Sequence, residues 1–438
     1  MPTHQLFPSL CRGAGYFSGA LILALGLGAS EAAADSLGTH AVQAAPFTSL
    51  DAVYVPFGNT VLYHSSKAYD LDPSTGLTEN TRPDLWAPRA AEDPDGAKWS
   101  FKGFAMPPVA MDRVFAYYEY TPPGYTSATG FPLFDQARDS ESGAVAPPVN
   151  YVEFQGGAPG AVSSSLGASA DGRTLALVSS PRPLSSDTEY ALRAAFRNEA
   201  GSYDVVHRES SAYRSISTQP NDVAVLAEGQ VIAVVVPTTS GSYQDRFSDL
   251  VIYRRNGSVL QHVQTLYVSP DPTDILVDYE DDTTLLVPGP FSGDLNVFQW
   301  LPEAGMLSLA ASISDPRLIS SAGYDMTADG KLVASAFNNR IRLWAWDRTT
   351  LTLTLVDEQV YTDVTAPLVD LRFSRDGTLL YGIAKEDYGT NWLIAFRVQR
   401  DATRSDVTKA LLEGGGSPAL DANADGVLDA ADAITAEQ

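Results

Sequence analysis

The chain has 438 residues, of which 53 are Asp or Glu and 29 are Lys or Arg, giving a formal charge of −24 at neutral pH. This balance argues against nucleic acid or an anionic membrane surface as a partner, because phosphate-binding proteins carry a basic patch. The single cysteine, Cys11, excludes a disulfide framework and, once the leader described next is removed, thiolate chemistry as well.

At the N-terminus Arg12 is followed by a Leu-, Ala- and Gly-rich run from Ala14 to Ala29, then by Ala32-Ala33-Ala34 before Asp35. This pattern predicts a secretory signal peptide over residues 1–34 with cleavage near Ala34. The run is shorter than the roughly 18–20 apolar residues of a membrane span. Cys11 lies on the wrong side of it for a lipoprotein anchor. The mature chain is therefore expected to be secreted or periplasmic, in a bacterial manner.

From about Phe47 to Arg400 short alternating strands separated by turn residues dominate, with almost no helical periodicity. The clearest unit has strands from Tyr324 to Thr327, Lys331 to Phe337, Arg340 to Asp347 and Leu351 to Val360. Its turns are Ala328-Asp329-Gly330 and Asn338-Asn339. The same signal recurs at Asp171-Gly172, Glu228-Gly229, Asp281-Asp282 and Asp376-Gly377, with looser versions at Phe57-Gly58 and Asp112. These seven anchors lie roughly 47 to 59 residues apart, the spacing of four-stranded blades. The expected fold is an all-β, seven-bladed β-propeller of four-stranded antiparallel blades over residues 35–400. In the second unit, between Phe104 and Gly160, a long segment from Pro122 to Pro148 is read as an interruption. The last unit lacks one strand, and Thr39 to Ala45 is free to supply it and close the ring.

Within this body Arg340-Ile341-Arg342-Leu343-Trp344-Ala345-Trp346-Asp347 resembles the third strand and closing Trp-Asp of WD-repeat blades. Ala68-Tyr69-Asp70-Leu71-Asp72-Pro73-Ser74-Thr75-Gly76 resembles the strand and turn of YVTN-type and lactonase-like propellers. The resemblance implies a superfold that hosts enzymes, lectins and scaffolds alike.

Beyond the body, Ser405 to Glu413 reads as a helix that opens on an N-capping serine and stops at Gly414-Gly415-Gly416. Residues 401–420 are thus a helix and a flexible linker. The segment 421–438 is a small appendage that begins with a twelve-residue calcium loop, Asp421-Ala422-Asn423-Ala424-Asp425-Gly426-Val427-Leu428-Asp429-Ala430-Ala431-Asp432. Calcium takes six to eight oxygen ligands, and the loop presents side-chain oxygens at positions 1, 3, 5, 9 and 12 with the Val427 carbonyl at position 7. Gly426 sits where the chain must turn, and a short helix follows. With Asp432 in place of the Glu of most EF-hands, the loop resembles one calcium repeat of a bacterial dockerin. That resemblance implies Asp421, Asn423, Asp425 and Asp432 as direct ligands, the Val427 carbonyl as another, and Asp429 acting directly or through water. A complete dockerin has two repeats, and the positions that read a cohesin are here Ala430 and Ala431, so a cohesin partner is not expected.

No nucleophile elbow, phosphate loop or zinc-protease helix is present. The histidines of the mature chain, His40, His64, His207 and His262, are too far apart in sequence to form a ligand pair. A propeller can still assemble a site from residues at the starts of its inner strands, and Asp222, Asp274, Asp325 and Asp370 occupy such places. In lactonase-like propellers carboxylates there surround a cation that polarises a carbonyl. Among the aromatics, Trp300, Trp344, Trp346 and Trp392 fall on third strands and are assigned to packing between blades. Trp86, Trp99, Tyr117, Tyr118, Tyr120 and Tyr125 are the candidates for exposed contact with a glycan or other ligand. The sequence points to a secreted calcium-binding propeller acting as a protein- or ligand-binding scaffold. The alternatives are a lactonase-like hydrolase using channel carboxylates, and a glycan-binding part of an extracellular polysaccharide-degrading system.

Overall fold

A computed structural model of the protein describes residues 35–45, 52–54, 61–64, 67–72, 74–86, 93–105, 107, 112–126, 130–139, 142–155, 162–180, 191–209, 222–238, 247–257, 259–268, 274–320, 322–386 and 389–400. The leader (1–34), the helix and linker (401–420) and the calcium loop (421–438) lie outside the described residues.

Each run of alternating residues becomes a strand, and the strands group into four-stranded antiparallel sheets in chain order. The first sheet is β2 (Ala52–Tyr54), β3 (Val61–His64), β4 (Lys67–Leu71) and β5 (Thr78–Thr81). The next is β6 (Lys98–Ala105), β7 (Arg113–Thr121), β8 (Gly130–Arg138) and β9 (Val145–Gln155). Then come β10 (Val162–Ala168), β11 (Thr174–Ser180), β12 (Ala191–Arg197) and β13 (Tyr203–Glu209), followed by β14 (Asp222–Leu226), β15 (Val231–Thr238), β16 (Phe247–Asn256) and β17 (Val259–Val268). The fifth is β18 (Leu276–Asp278), β19 (Thr284–Gly289), β20 (Asp294–Leu301) and β21 (Met306–Ser314). The sixth is β22 (Tyr324–Met326), β23 (Leu332–Phe337), β24 (Arg340–Asp347) and β25 (Thr352–Val360). The seventh holds β26 (Leu368–Phe373), β27 (Leu379–Lys385), β28 (Asn391–Gln399) and, as its outer strand, β1 (Ser36–Ala45). The only helix among the described residues is one 3₁₀ turn, Pro316–Leu318. The fold is a β-propeller of four-stranded antiparallel blades.

The segment from Pro122 to Pro148, read above as an interruption, holds β8 and the start of β9. Pro147 and Pro148 obscured it. Both sit on an outer strand, where one side of the backbone needs no ladder partner and proline is tolerated.

The Asp-Gly turns owe their regularity to a shared hydrogen-bond set. In Ser169-Ala170-Asp171-Gly172, Thr327-Ala328-Asp329-Gly330 and Ser374-Arg375-Asp376-Gly377 the hydroxyl donates to the aspartate at 2.7, 2.7 and 2.6 Å. It also accepts the N–H of the residue opening the next strand at 2.9, 3.0 and 2.9 Å. The glycine is needed twice over. At Gly330 φ is +67° and an added Cβ would lie 2.2 Å from Asp278 Oδ1 of the preceding blade. Asp282 takes the equivalent place after Asp281 with φ 50°, which an L-residue adopts at a cost.

Apolar residues of the first three strands fill the space between blades, as with Val225, Ile232, Val234 and Val251 packed against Val178, Leu192 and Phe196. Polar links accompany them. Asp278, fully buried, accepts from Trp346 Nε1 at 3.0 Å and from Arg348 at 3.1 Å, so the Trp of the WD-like segment ties its blade to the one before. Burial pushes the Asp278 carboxyl up against these two donors. Asp329 meets Arg400 in the same way one blade further on.

β1 pairs antiparallel with β28 from Ser36↔Gln399 to Ala45↔Asn391. Its start is gripped by β25, where Asp357 accepts the Leu37 N–H at 2.8 Å and Gln359 donates to the Leu37 carbonyl. Near its end Gln43 exchanges hydrogen bonds of 2.8–3.0 Å with Thr78 of β5. One strand therefore joins the final blade to both of its neighbours. The outer strands β17, β21 and β25 each carry one extra residue, at Val263, Ala310 and Val356. Such bulges twist an exposed edge away from pairing with another chain.

Candidate binding site at the channel mouth

The first strand of each blade runs along the centre of the molecule, and each of these strands is entered from the same end. At or beside three of these entries stand aspartates whose oxygens reach to the next blade. Asp222 accepts the Ile275 N–H at 2.9 Å, and also the Ser165 hydroxyl at 2.7 Å from the blade before. Asp274 accepts the Tyr324 N–H at 3.2 Å. Asp325 accepts the Phe373 N–H at 2.5 Å. The carboxylates thus staple neighbouring inner strands together around the channel.

Asp222 and Asp325 lie deep in the protein yet keep water-accessible surface, as residues lining a channel do. Burial, and after it the charge of Asp274, pushes the Asp222 carboxyl up to about 6. Burial does the same to Asp325, also to about 6, against the opposing pull of Arg372. Arg372 stands among these acids. Burial works against its charge, but Asp370, Asp325, Asp274 and Asp222 together hold the guanidinium above its ordinary range. The Tyr279 hydroxyl is raised mainly by burial and feels the charges of Arg375, Asp222, Asp282 and Asp325. Among the described residues, four carboxylates against Arg372, with Arg375 nearby, leave the wall net negative, a place where a cation is attracted and a second anion repelled.

Asp222, Asp274, Asp325 and Asp370 were all named from the sequence, and the structure brings them together. Arg372 and Tyr279 were not named. Arg372 had a signal, since it is two residues after Asp370 on one strand and so on the same face. Tyr279 had none, because it follows the strand inside a turn.

The aromatic candidates divide. Trp86, Tyr117 and Tyr118 are core residues, 2%, 7% and 3% exposed, which corrects their reading as ligand contacts. Trp86 and Tyr118 pack with Val114, Ala116 and Phe134, while Tyr117 packs with Phe115, Leu133 and Phe154. Trp99 is half-buried, donates to Asp93 at 2.9 Å and lies 4.6 Å from the half-buried Tyr120. Tyr125 is 62% exposed. Trp300, Trp344 and Trp346 are buried on third strands as expected. Among the histidines, His40 Nε2 contacts Asp363 at 3.0 Å and His262 Nε2 contacts Thr265 at 3.0 Å. Among the described residues no three His, Cys, Asp or Glu side chains are grouped to hold a metal ion. No helix of the described residues is long and apolar enough to cross a membrane. The calcium ligands Asp421, Asn423, Asp425, Val427, Asp429 and Asp432 lie outside the described residues.

No family model and no curated protein matches the chain. Among solved structures, the chain is similar to Raptor of Chaetomium thermophilum, with TM-score 0.50 at 9% identity over 84% of this chain and 29% of that one. It is also similar to Sqt1 of Chaetomium thermophilum bound to the N-terminus of ribosomal protein L10, with TM-score 0.48 at 14% identity over 77% and 80% of the two chains. A third is the periplasmic gluconolactonase of Pseudomonas aeruginosa, with TM-score 0.43 at 15% identity over 63% and 79%. At such identities likeness concerns the fold alone, and the fold it concerns is the β-propeller.

Proposed function

We propose that this chain is a secreted, calcium-binding propeller, its seven sheets forming one closed ring, and that it works as a binding scaffold whose site is the acidic channel mouth. The observation that carries the reading is the commitment of the channel carboxylates. Asp222, Asp274 and Asp325 each spend an oxygen on a neighbouring inner strand, so they supply a fixed negative potential more readily than a free base. A cation bound there offsets the burial and, after it, the Asp274 charge that raise Asp222. The test is thermal denaturation with arginine methyl ester as probe. A ligand at a hundred times its Kd adds about 3 kcal/mol of stability, and this gain should disappear in Asp222→Asn with Asp274→Asn, which remove the charge and leave one acceptor oxygen at each position. Equal stabilisation of both proteins refutes the site.

Calcium belongs, on this reading, to the loop of Asp421, Asn423, Asp425, Val427, Asp429 and Asp432, whose donor set is all oxygen as a hard cation requires. Calorimetry on the mature protein beside one ending at Glu413 tests it, and calcium heat that survives truncation removes the loop from the account. Secretion is tested by N-terminal sequencing of the exported protein, with Asp35 expected first.

A second reading, a lactonase-like hydrolase, is favoured by Asp222 and Asp325, whose carboxyls burial pushes up to about 6, towards the range where a general base is useful. Turnover of any of a panel of lactones that is lost in Asp325→Asn places this reading first.

A further inference from the structure

Exposed apolar side chains are not scattered evenly over the molecule. Ten large ones stand out among the described residues, and six of them, Tyr125, Tyr267, Phe291, Phe337, Val360 and Val369, are 37–67% exposed at the end where the inner strands begin. Strand direction fixes this. Tyr125 follows β7, Phe291 joins β19 to β20, Phe337 ends β23, Tyr267 and Val360 end outer strands, and Val369 begins β26. Five of these, from Tyr267 to Val369, fall on four successive blades, one or two to a blade, at the end occupied by Asp222 and Asp274. Large apolar side chains gathered at one end of a domain around polar groups mark an interaction site.

The occupant follows from charge. Among the described residues at this end, Arg317 and Arg340 are already paired with Asp315 at 2.6 Å and Glu358 at 2.5 Å. Among the described residues four carboxylates against Arg372 leave the mouth net negative, with these apolar side chains around it. A second copy of this chain, at −24, would meet that mouth with its own negative charge. Extended ligands suit this face better than compact ones, because its apolar members are spread over several blades. Resting on the binding reading above, we propose that this face docks a basic, apolar-alternating peptide segment of a partner protein, with an Arg or Lys entering the mouth between Asp222 and Asp274 while apolar neighbours lie on Phe291, Phe337 and Val369.

The experiment uses three fluorescein-labelled ten-residue peptides, alternating Arg with Leu, Arg with Ser, and Glu with Leu, titrated with the full mature protein by fluorescence anisotropy at physiological salt. The Arg–Leu peptide is expected to bind, the Arg–Ser peptide at least tenfold more weakly, and the Glu–Leu peptide not at all. Phe291→Ser with Phe337→Ser should weaken the Arg–Leu peptide at least tenfold. Asp222→Asn with Asp274→Asn should do likewise. Met306→Ser, which changes an exposed apolar residue at the opposite end, should leave it unchanged. Equal binding of the Arg–Leu and Arg–Ser peptides, or indifference to the Phe291 and Phe337 changes, overturns the proposal by reducing it to general attraction to an acidic surface. If no peptide binds, the peptide proposal fails, and stabilisation by arginine methyl ester then shows whether the small-cation site stands without it.

Discussion

Replacing Asp282 by glycine should make the protein more stable, and only where the carboxyl is ionised. Asp282 holds φ at 50° where other blades place glycine, which costs an L-residue about 1–2 kcal/mol. Burial, opposed by the N–H of Glu228 and reinforced by the charges of Asp171, Asp281 and Glu228, pushes its carboxyl up to about 6. Two pH units correspond to about 3 kcal/mol of destabilisation when the group is ionised, and partial exposure reduces this to about 1–2 kcal/mol. Its Oδ1 is buried without a hydrogen bond. Against these gains stand the bond from the Glu228 N–H to Oδ2 at 2.6 Å, worth about 1 kcal/mol because Glu228 is exposed and water can replace it, and about 1 kcal/mol of added chain entropy. The balance is a gain of about 1 kcal/mol at pH 7.5. The sign with pH is fixed: a carboxyl raised above its unfolded value binds its proton more tightly in the folded state, so wild type recovers stability as pH falls from about 7 to about 4. The advantage of Asp282→Gly must therefore shrink over that interval. Urea denaturation at pH 7.5, 6 and 4.5 measures it. An advantage that stays constant with pH would refute the electrostatic part of this reasoning, and a net loss at pH 7.5 would refute the whole.

Gly330→Ala combines a φ of +67° with a Cβ 2.2 Å from Asp278 Oδ1, and should lose more than about 2 kcal/mol in the same assay. Asp278→Ala leaves Trp346 Nε1 and Arg348 without their buried acceptor and should lose about 3–5 kcal/mol. Because Asp222, Asp282 and Asp325 are all raised, ionising them opposes folding, and the melting temperature should rise as pH falls from 7.5 towards 5.5. It should drop again below about pH 4, where Asp329 and Glu358, held below the ordinary carboxylate range, take up protons in the unfolded chain first. Asp425→Ala should abolish calcium heat from the tail by calorimetry while leaving the propeller's melting temperature unchanged.

Blade architecture was legible because two independent periodicities agreed. In the blade from Tyr324 the third strand runs Arg340–Asp347 as read from the sequence, and the other three differ at one end by one residue, since Asp329-Gly330 fixes the turn and alternation fixes the faces. Aromatic exposure was not legible. On β7 five consecutive residues, Val114 to Tyr118, are buried, because a second strand is covered on both faces by adjoining blades, so alternation there carries no information about solvent. The channel acids were found by position, at the strand starts. Their chemistry was hidden, since the partners of Asp222, Ser165 and Ile275, lie 57 and 53 residues away in sequence on other blades.

The pairing of β1 with β28 also sets an order of events during synthesis. Ser36 emerges early in synthesis, yet its partner Gln399 is 363 residues further on. Until then β1 has no ladder, its clamp on Asp357 and Gln359 does not exist, and the growing string of blades remains an open arc. Contacts so distant in sequence slow folding, because the closure entropy is spent before the contact forms. Opening the chain between two blades and joining the present ends by a linker would turn this closure into a local hairpin, giving a propeller of the same contacts that folds faster.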